Sequence, residues 1–345
     1  AGQRGAFAFN ETITQARGCR GVGIPSVGTV GCINPYIGGA VTNDLFTLYR
    51  ETEGSNTLPQ WSKLEYDPVA VWLGEAPPEL TGAAMFSLGD SIWISGGETK
   101  HGNLSSTLWR GEVVSTSNTP AGTSDPVWYA HADVPVKRHC VAVAGNKAIF
   151  WGGLKGDDQL APADLWTMGL ASNASRRNET LEWALHTPRG GPGARFDCAF
   201  TAIGDTAYLF GGRDMDTVFG DLYALDARTM VWTDLQSITN PPTPRFGASF
   251  VTVGLIAYLF GGAAGGGVAP TDELWMLRTF SDPLFTPRWI DVSGLAGQPT
   301  PRVDAAAAAV GTDIYLQGGY GAGAASPSYW NFLLQTEPGA PPHGV

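Results

Sequence analysis

Basic charge and catalytic signatures are what this chain has least of. Lys and Arg total 21 against 32 Asp and Glu over 345 residues, a formal net charge of −11. No basic patch is present to displace counterions, which argues against nucleic acid and anionic membrane surfaces as partners. No segment reaches the ~18 apolar residues in a row that a membrane-spanning helix needs, so membrane insertion is not expected. Among the five histidines (His101, His131, His139, His186 and His343) no two stand at i, i+2 or i, i+4, where one element would present both to a metal. Cys-x-x-Cys, Gly-x-Ser-x-Gly and a phosphate-cradling glycine loop ahead of a helix are missing as well. Gly265-Gly266-Gly267 leads into Val268-Ala269-Pro270 and reads as a loop. The chain is therefore expected to be non-enzymatic, with no metal and no cofactor.

Glycine, by contrast, is plentiful and periodic. Gly-Gly pairs fall at Gly38-Gly39, Gly96-Gly97, Gly152-Gly153, Gly211-Gly212, Gly261-Gly262 and Gly318-Gly319. Each is preceded seven residues earlier by a lone glycine: Gly31, Gly89, Gly145, Gly204, Gly254 and Gly311. Successive pairs are 58, 56, 59, 50 and 57 residues apart. A period near 50 residues built from short strands predicts an all-β propeller of six blades, one domain over residues 1–345.

Each repeat reads as four strands. The first is apolar, as in Phe246 to Val253, and three copies begin with an arginine nine residues before the lone glycine: Arg195, Arg245 and Arg302. The second is an aromatic run into Gly-Gly, as in Ala207-Tyr208-Leu209-Phe210 and Ala257-Tyr258-Leu259-Phe260. The third opens on Leu-aromatic pairs such as Leu222-Tyr223 and Leu274-Trp275, and the fourth carries Trp61, Trp128, Trp183, Trp232 or Trp289. Aromatics at these positions are expected to fill the spaces between blades. Recurrence of the arginines points to pairing with carboxylates or carbonyls at blade junctions.

In these motifs the chain resembles the kelch family over essentially its whole length. The resemblance implies a propeller and a tendency to bind partners rather than a chemistry. Kelch-type propellers also include copper radical oxidases resembling galactose oxidase, which supplies a remote alternative; here only His139 lies on an inner strand, beside Cys140.

The last repeat has no fourth-strand tryptophan and runs into Glu337-Pro338-Gly339, while Phe7 and Phe9 alternate near the start. Residues 1–12 are thus expected to supply the outermost strand of the last blade, with 335–345 as a tail. Cys140 and Cys198 stand five and six residues before their lone glycines. That opposite parity aims them at each other across neighbouring blades, and predicts a Cys140–Cys198 disulfide. Cys19 and Cys32 are left to pair around the first repeat.

Sequons at Asn10, Asn103, Asn173 and Asn178, the cysteines, and an N-terminal Ala1 compatible with processing lead to a secreted, disulfide-bonded glycoprotein. The acidic runs Asp214, Asp216, Asp221 and Asp157-Asp158 read as solvated turns ahead of calcium loops. Non-repeated features gather in the loops and the tail. The expected function is an interaction or structural subunit of an extracellular assembly (matrix, wall or filament). Its partners would be copies of itself or other matrix proteins, contacted through the loops near Gly265 and Gly321 or through Pro341 and Pro342. A secreted carbohydrate-binding module is the alternative.

Overall fold

The computed structural model describes most of the chain from Pro77 to Gly321, leaving out 90, 100, 113–126, 133–134, 172–179, 189, 237, 239, 266–267, 280–286, 295–297 and 311–312. Outside that span it describes the strands Gly5–Ala6, Gly21–Ile24, Thr29–Ile33, Leu45–Arg50, Gln60–Leu64, Ala324–Ala325 and Tyr329–Leu333. Among the described residues the regular structure is strand, apart from one turn of 3-10 helix at Gly156–Asp158.

Four sheets are complete antiparallel meanders of four strands. The first consists of Ala84–Leu88, Ser91–Ser95, Thr107–Glu112 and Val127–Ala132. Next come Cys140–Ala144, Lys147–Trp151, Leu165–Leu170 and Leu181–His186. Ala199–Ile203, Thr206–Phe210, Leu222–Asp226 and Val231–Asp234 make the third, and Ser249–Val253, Ile256–Phe260, Leu274–Arg278 and Arg288–Asp291 the fourth. A sheet led by Gly21–Ile24 precedes them, and a sheet of Ala306–Val310, Asp313–Gln317 and Tyr329–Leu333 follows. The leading strands form a circuit: Gly21–Ile24 touches both Ala84–Leu88 and Ala306–Val310, and each of the others touches the leading strands before and after it. The fold is a β-propeller.

One expectation is corrected. Gly5 and Ala6 pair with Arg50 and Tyr49 in the first sheet, not with the last one. Leu45–Arg50 outruns its neighbours, whose pairings stop at Leu48 and Tyr49, and its surplus end offers backbone groups to a passing segment. Residues 7–12 and the tail 335–345 lie outside the described residues.

The core lies between sheets, and strand alternation shows how. Ala207 and Leu209 pack with Cys140, Ile149, Trp151 and Leu165 of the preceding sheet. Tyr208 and Phe210 point the other way, onto Ala257, Leu259 and Trp289 of the following sheet. Both faces are buried, so the strand reads as an unbroken apolar run, with each large side chain contributing about 1.5–3 kcal/mol. Fourth-strand tryptophans fill the same gaps: Trp232 meets Trp151 edge-on at 5.2 Å and Trp289 meets Phe210 at 5.3 Å.

The Gly-Gly pairs belong to the junctions. Gly212 N–H donates to the carbonyl of Arg245, the residue that opens the next sheet, at 2.9 Å. Gly97, Gly153 and Gly262 make the same bond to Val136, Arg195 and Arg302. That carbonyl comes so close to the first glycine that a Cβ on Gly152 or Gly211 would sit 2.1 or 2.4 Å from it. Both glycines also have positive φ, so a side chain is refused on two counts.

Candidate functional site

The leading strands enclose a cavity of about 490 Å3 along the propeller axis. Its wall is built of small residues, among them Ala84, Ala199, Ala248 and Ala306, and it also touches Phe200 and Phe250, whose rings pack on Trp232 and Trp289 between sheets. Narrow side chains at these positions let the strands converge without filling the channel.

The mouth is charged. Arg138 grips Asp197 with two hydrogen bonds, one of them 2.8 Å from Nε to Oδ1. Arg213 donates to the other oxygen of Asp197 at 3.2 Å, and its guanidinium stacks on Phe246 at 3.9 Å and Phe196 at 4.8 Å. Asp197 is thus buried between two cations. Nearby, Lys137 binds Glu98 at 2.5 Å and Asp158 at 2.7 Å. Burial pulls the Lys137 ammonium down, but the two carboxylates outweigh it and hold it above the usual lysine value. The same contest, won by Asp197, raises Arg138. Bonding to Lys137 holds the Asp158 carboxyl below its ordinary range.

Beneath these side chains runs a collar of backbone bonds. Gly82, Arg138, Asp197, Gly247 and Asp304 occupy one repeated position, and all have φ between 54° and 64°. Arg138 N–H donates to Gly82 O at 2.7 Å, Asp197 to Arg138 at 3.1 Å, Gly247 to Asp197 at 2.9 Å and Asp304 to Gly247 at 2.8 Å. The left-handed turn aims each N–H sideways at the preceding sheet. Arg138, Asp197 and Asp304 accept this conformation where glycine would be the easy choice.

The recurring arginines stay out of the channel. Arg195 Nη1 donates to Gly211 O at 3.0 Å and to Asp221 at 2.5 Å, while Nη2 reaches Asp221 at 2.9 Å. Arg245 binds Gly261 O at 3.1 Å and the Glu273 carboxylate. Arg302 binds Gly318 O at 2.8 Å, and burial pushes its guanidinium down to about 10. These arginines are buried pins between strands, holding the loop that follows Gly-Gly.

The remaining sequence-level candidates separate. Cys140 and Cys198 are bonded, with Cα atoms 5.7 Å apart, and Cys198 lies on the cavity wall. Asn103 is exposed, while Ser105 of the same sequon is buried and bonds Thr107 O at 3.3 Å. Gly265 lies in an open loop whose Cβ direction meets Val218 of the neighbouring loop at 2.9 Å. Gly321 is buried, and pairs with Ala324. Asn10, Asn173, Asn178, Cys19, Pro341 and Pro342 lie outside the described residues, as does the side chain of Cys32. His139 is buried, its Nε2 3.1 Å from Ser95 Oγ. Asp214 caps its own turn through Asp216 and Thr217 N–H, Asp221 belongs to Arg195, and Asp158 to Lys137. Among the described residues no three His, Cys, Asp or Glu side chains are placed to hold a metal ion.

Sequence reading missed Asp197 and Lys137 as members of the mouth. The signal for Asp197 was available in the repeated Arg195-Phe196-Asp197 and Arg302-Val303-Asp304, where an acid stands two residues past a structural arginine; Lys137 has no such signal.

A ring of four-stranded sheets joined through Gly-Gly and a buried arginine defines a kelch-type propeller. The chain belongs to the kelch-repeat family, matching the KLHDC2/KLHL20/DRC7 Kelch-repeats domain over residues 36–262 and 200–339. It is similar to acyl-CoA-binding domain-containing protein 5 of Arabidopsis thaliana, 31% identical over 141 residues, 40% of this chain and 20% of that protein. Acyl-CoA-binding domain-containing protein 4 of the same plant is 26% identical over 221 residues, 63% of this chain and 30% of that protein. A probable serine/threonine-protein kinase of Dictyostelium discoideum is 35% identical over 69 residues, 19% of this chain and 5% of that protein. The chain spans less than a third of the length of each of these relatives. The fold and the family suggest a protein-interaction scaffold.

Proposed function

We propose that this chain is one six-bladed ring that binds protein partners through the loops following its Gly-Gly pairs. The observation that carries this reading is the division of labour among residues. Repeated residues are consumed by packing and junctions, whereas three of the exposed large apolar side chains follow the Gly-Gly pairs of three consecutive sheets, Met215 (55%), Val268 (60%) and Tyr320 (38%), the others being Leu185 and Val231 on fourth strands and Leu255 in a turn. The circuit of leading strands supports six blades.

The finer reading is a secreted subunit of an extracellular assembly. A cross-blade disulfide supports an oxidising compartment, and an exposed Asn103 leaves one sequon open to a glycan. Light scattering on the native particle, with its carbohydrate mass determined in parallel, tests both parts. A multiple of the chain mass that falls on replacing Met215 and Val268 with serine is the expected result. A dilution-stable monomer without glycan would overturn the assembly reading and leave only the scaffold.

A carbohydrate ligand in the channel is the second reading, favoured by a cavity that has a polar mouth and that Phe200 and Phe250 help to line. Saturable binding in a sugar titration, lost on Phe250→Ala, would favour it.

A further inference from the structure

Two described junctions lack the pin, since Leu80 stands 16 residues before Gly96 and Val136 stands 16 before Gly152. In three consecutive sheets the guanidinium of Arg195, Arg245 or Arg302 donates to the carbonyl of the glycine 16 residues later. In the sheet that opens at Cys140, the residue 16 places before Gly152 is Val136, buried but with no side-chain donor. The rest of the receptor is in place. Asp164 directly precedes Leu165, just as Asp221 and Glu273 precede Leu222 and Leu274. Trp166 stands where Tyr223 lies 6.0 Å from the Arg195 guanidinium, and Pro162 where Phe219 stacks on it at 4.0 Å.

Where the guanidinium would sit there is a cavity of about 50 Å3, lined by Val136, Gly152, Pro162, Asp164 and Trp166. It has room for a few water molecules and hence for a small planar cation. Asp164 makes no hydrogen bond or ion pair among the described residues, nor does the side chain of Lys155, which stands exposed at the rim.

We propose that this cavity is a guanidinium-binding site, completed from outside by the group that three of the other sheets supply from within. A carboxylate, a backbone carbonyl and an aromatic face surround Arg195, Arg245 shares the first two and Arg302 the carbonyl, and Asp164, the Gly152 carbonyl and Trp166 stand at the corresponding places here. The guanidinium can come from an arginine side chain of a partner protein or from a free guanidinium compound. The site stands apart from the assembly reading, because binding of the free ion alone would establish it.

Ligand-observed saturation-transfer NMR on the whole chain provides the test, with methylguanidinium chloride at low millimolar concentration, whose methyl protons report the free ion, and N-acetyl-arginine methylamide as probes. Saturable transfer is expected for the wild-type chain, at least tenfold weaker binding for Asp164→Asn, and none for Val136→Arg, whose own side chain refills the cavity. Equal binding by wild type and Asp164→Asn, or no saturable signal from either probe, would overturn the proposal. Asp164 is half-exposed, so its variant keeps the test decisive should Val136→Arg fail to fold. An arginine-bearing peptide that binds at least tenfold more tightly than methylguanidinium assigns the site to a partner's side chain. Equal affinities assign it to a free compound.

Discussion

At the scale of single residues, steric and conformational costs separate cleanly in the glycines. Gly204 and Gly211 both have φ near +60°, but a Cβ on Gly204 would meet nothing within 4 Å, whereas one on Gly211 would strike Arg245 O. Gly204→Ala is expected to lose about 1–2 kcal/mol, the cost of a left-handed alanine. Gly211→Ala adds overpacking against rigid backbone and should lose about 3–5 kcal/mol, read from the denaturant midpoint. Asp197→Asn keeps the size and the tolerance for positive φ, yet takes the shared charge away from Arg138 and Arg213; a loss of about 3 kcal/mol is expected in the same measurement. Glu273 gives a pH prediction. Burial pushes its carboxyl up, but hydrogen bonds from Arg245 and Trp275 and the Arg245 charge outweigh it, so it titrates below its ordinary 4.5. The resulting stability is fully present above pH 4.5 and is lost as pH falls through the lower folded value. Thermal melts from pH 7 to 3 should therefore show a smaller acid-induced drop for Glu273→Gln than for wild type.

Elements were legible in the sequence to the extent that they repeat. The period of the Gly-Gly pairs located the second strand of every sheet after the first, because two-sided burial leaves an uninterrupted apolar run such as Ala207–Phe210; in the first sheet that strand is Thr29–Ile33, which ends short of Gly38. The Leu-aromatic pairs and the tryptophans located the third and fourth. What stayed hidden is whatever the repeat realises with different residues. Gly82, Arg138, Asp197, Gly247 and Asp304 share one backbone conformation but no side-chain type, so no periodic letter announces the collar. The cation cavity was equally invisible, since it arises from the one residue that Val136 is not. The N-terminal strand was misplaced because alternation says that a segment can pair but not which free edge it meets. The Cys140–Cys198 bond joins two leading strands across a separation of 58 residues. Replacing both cysteines by serine should lower stability by about 2–4 kcal/mol in guanidinium unfolding, most of it through a freer unfolded chain.

At the scale of the molecule, the sheets led by Cys140–Ala144, Ala199–Ile203 and Ser249–Val253 each bury both faces against neighbours, so none of them retains its core once a neighbour is gone. Calorimetry should accordingly show one transition, with calorimetric and van't Hoff enthalpies in agreement, and not the stepwise melting of an open repeat array. Disagreement between the enthalpies would mean that one junction opens independently, and the sheet containing Val136 is where to look first. The collar has an electrical side as well. In its four described bonds each N–H points back toward the preceding sheet, so these peptide dipoles, ~3.5 D apiece, run around the axis from sheet to sheet. A helix end pointing into a channel would impose a fixed potential there; a circulating set of dipoles does not. The field felt by anything approaching this mouth is left to the side chains that stand above it, and exchanging Lys137, Glu98 or Asp158 can reverse its sign while the backbone bonds beneath stay intact.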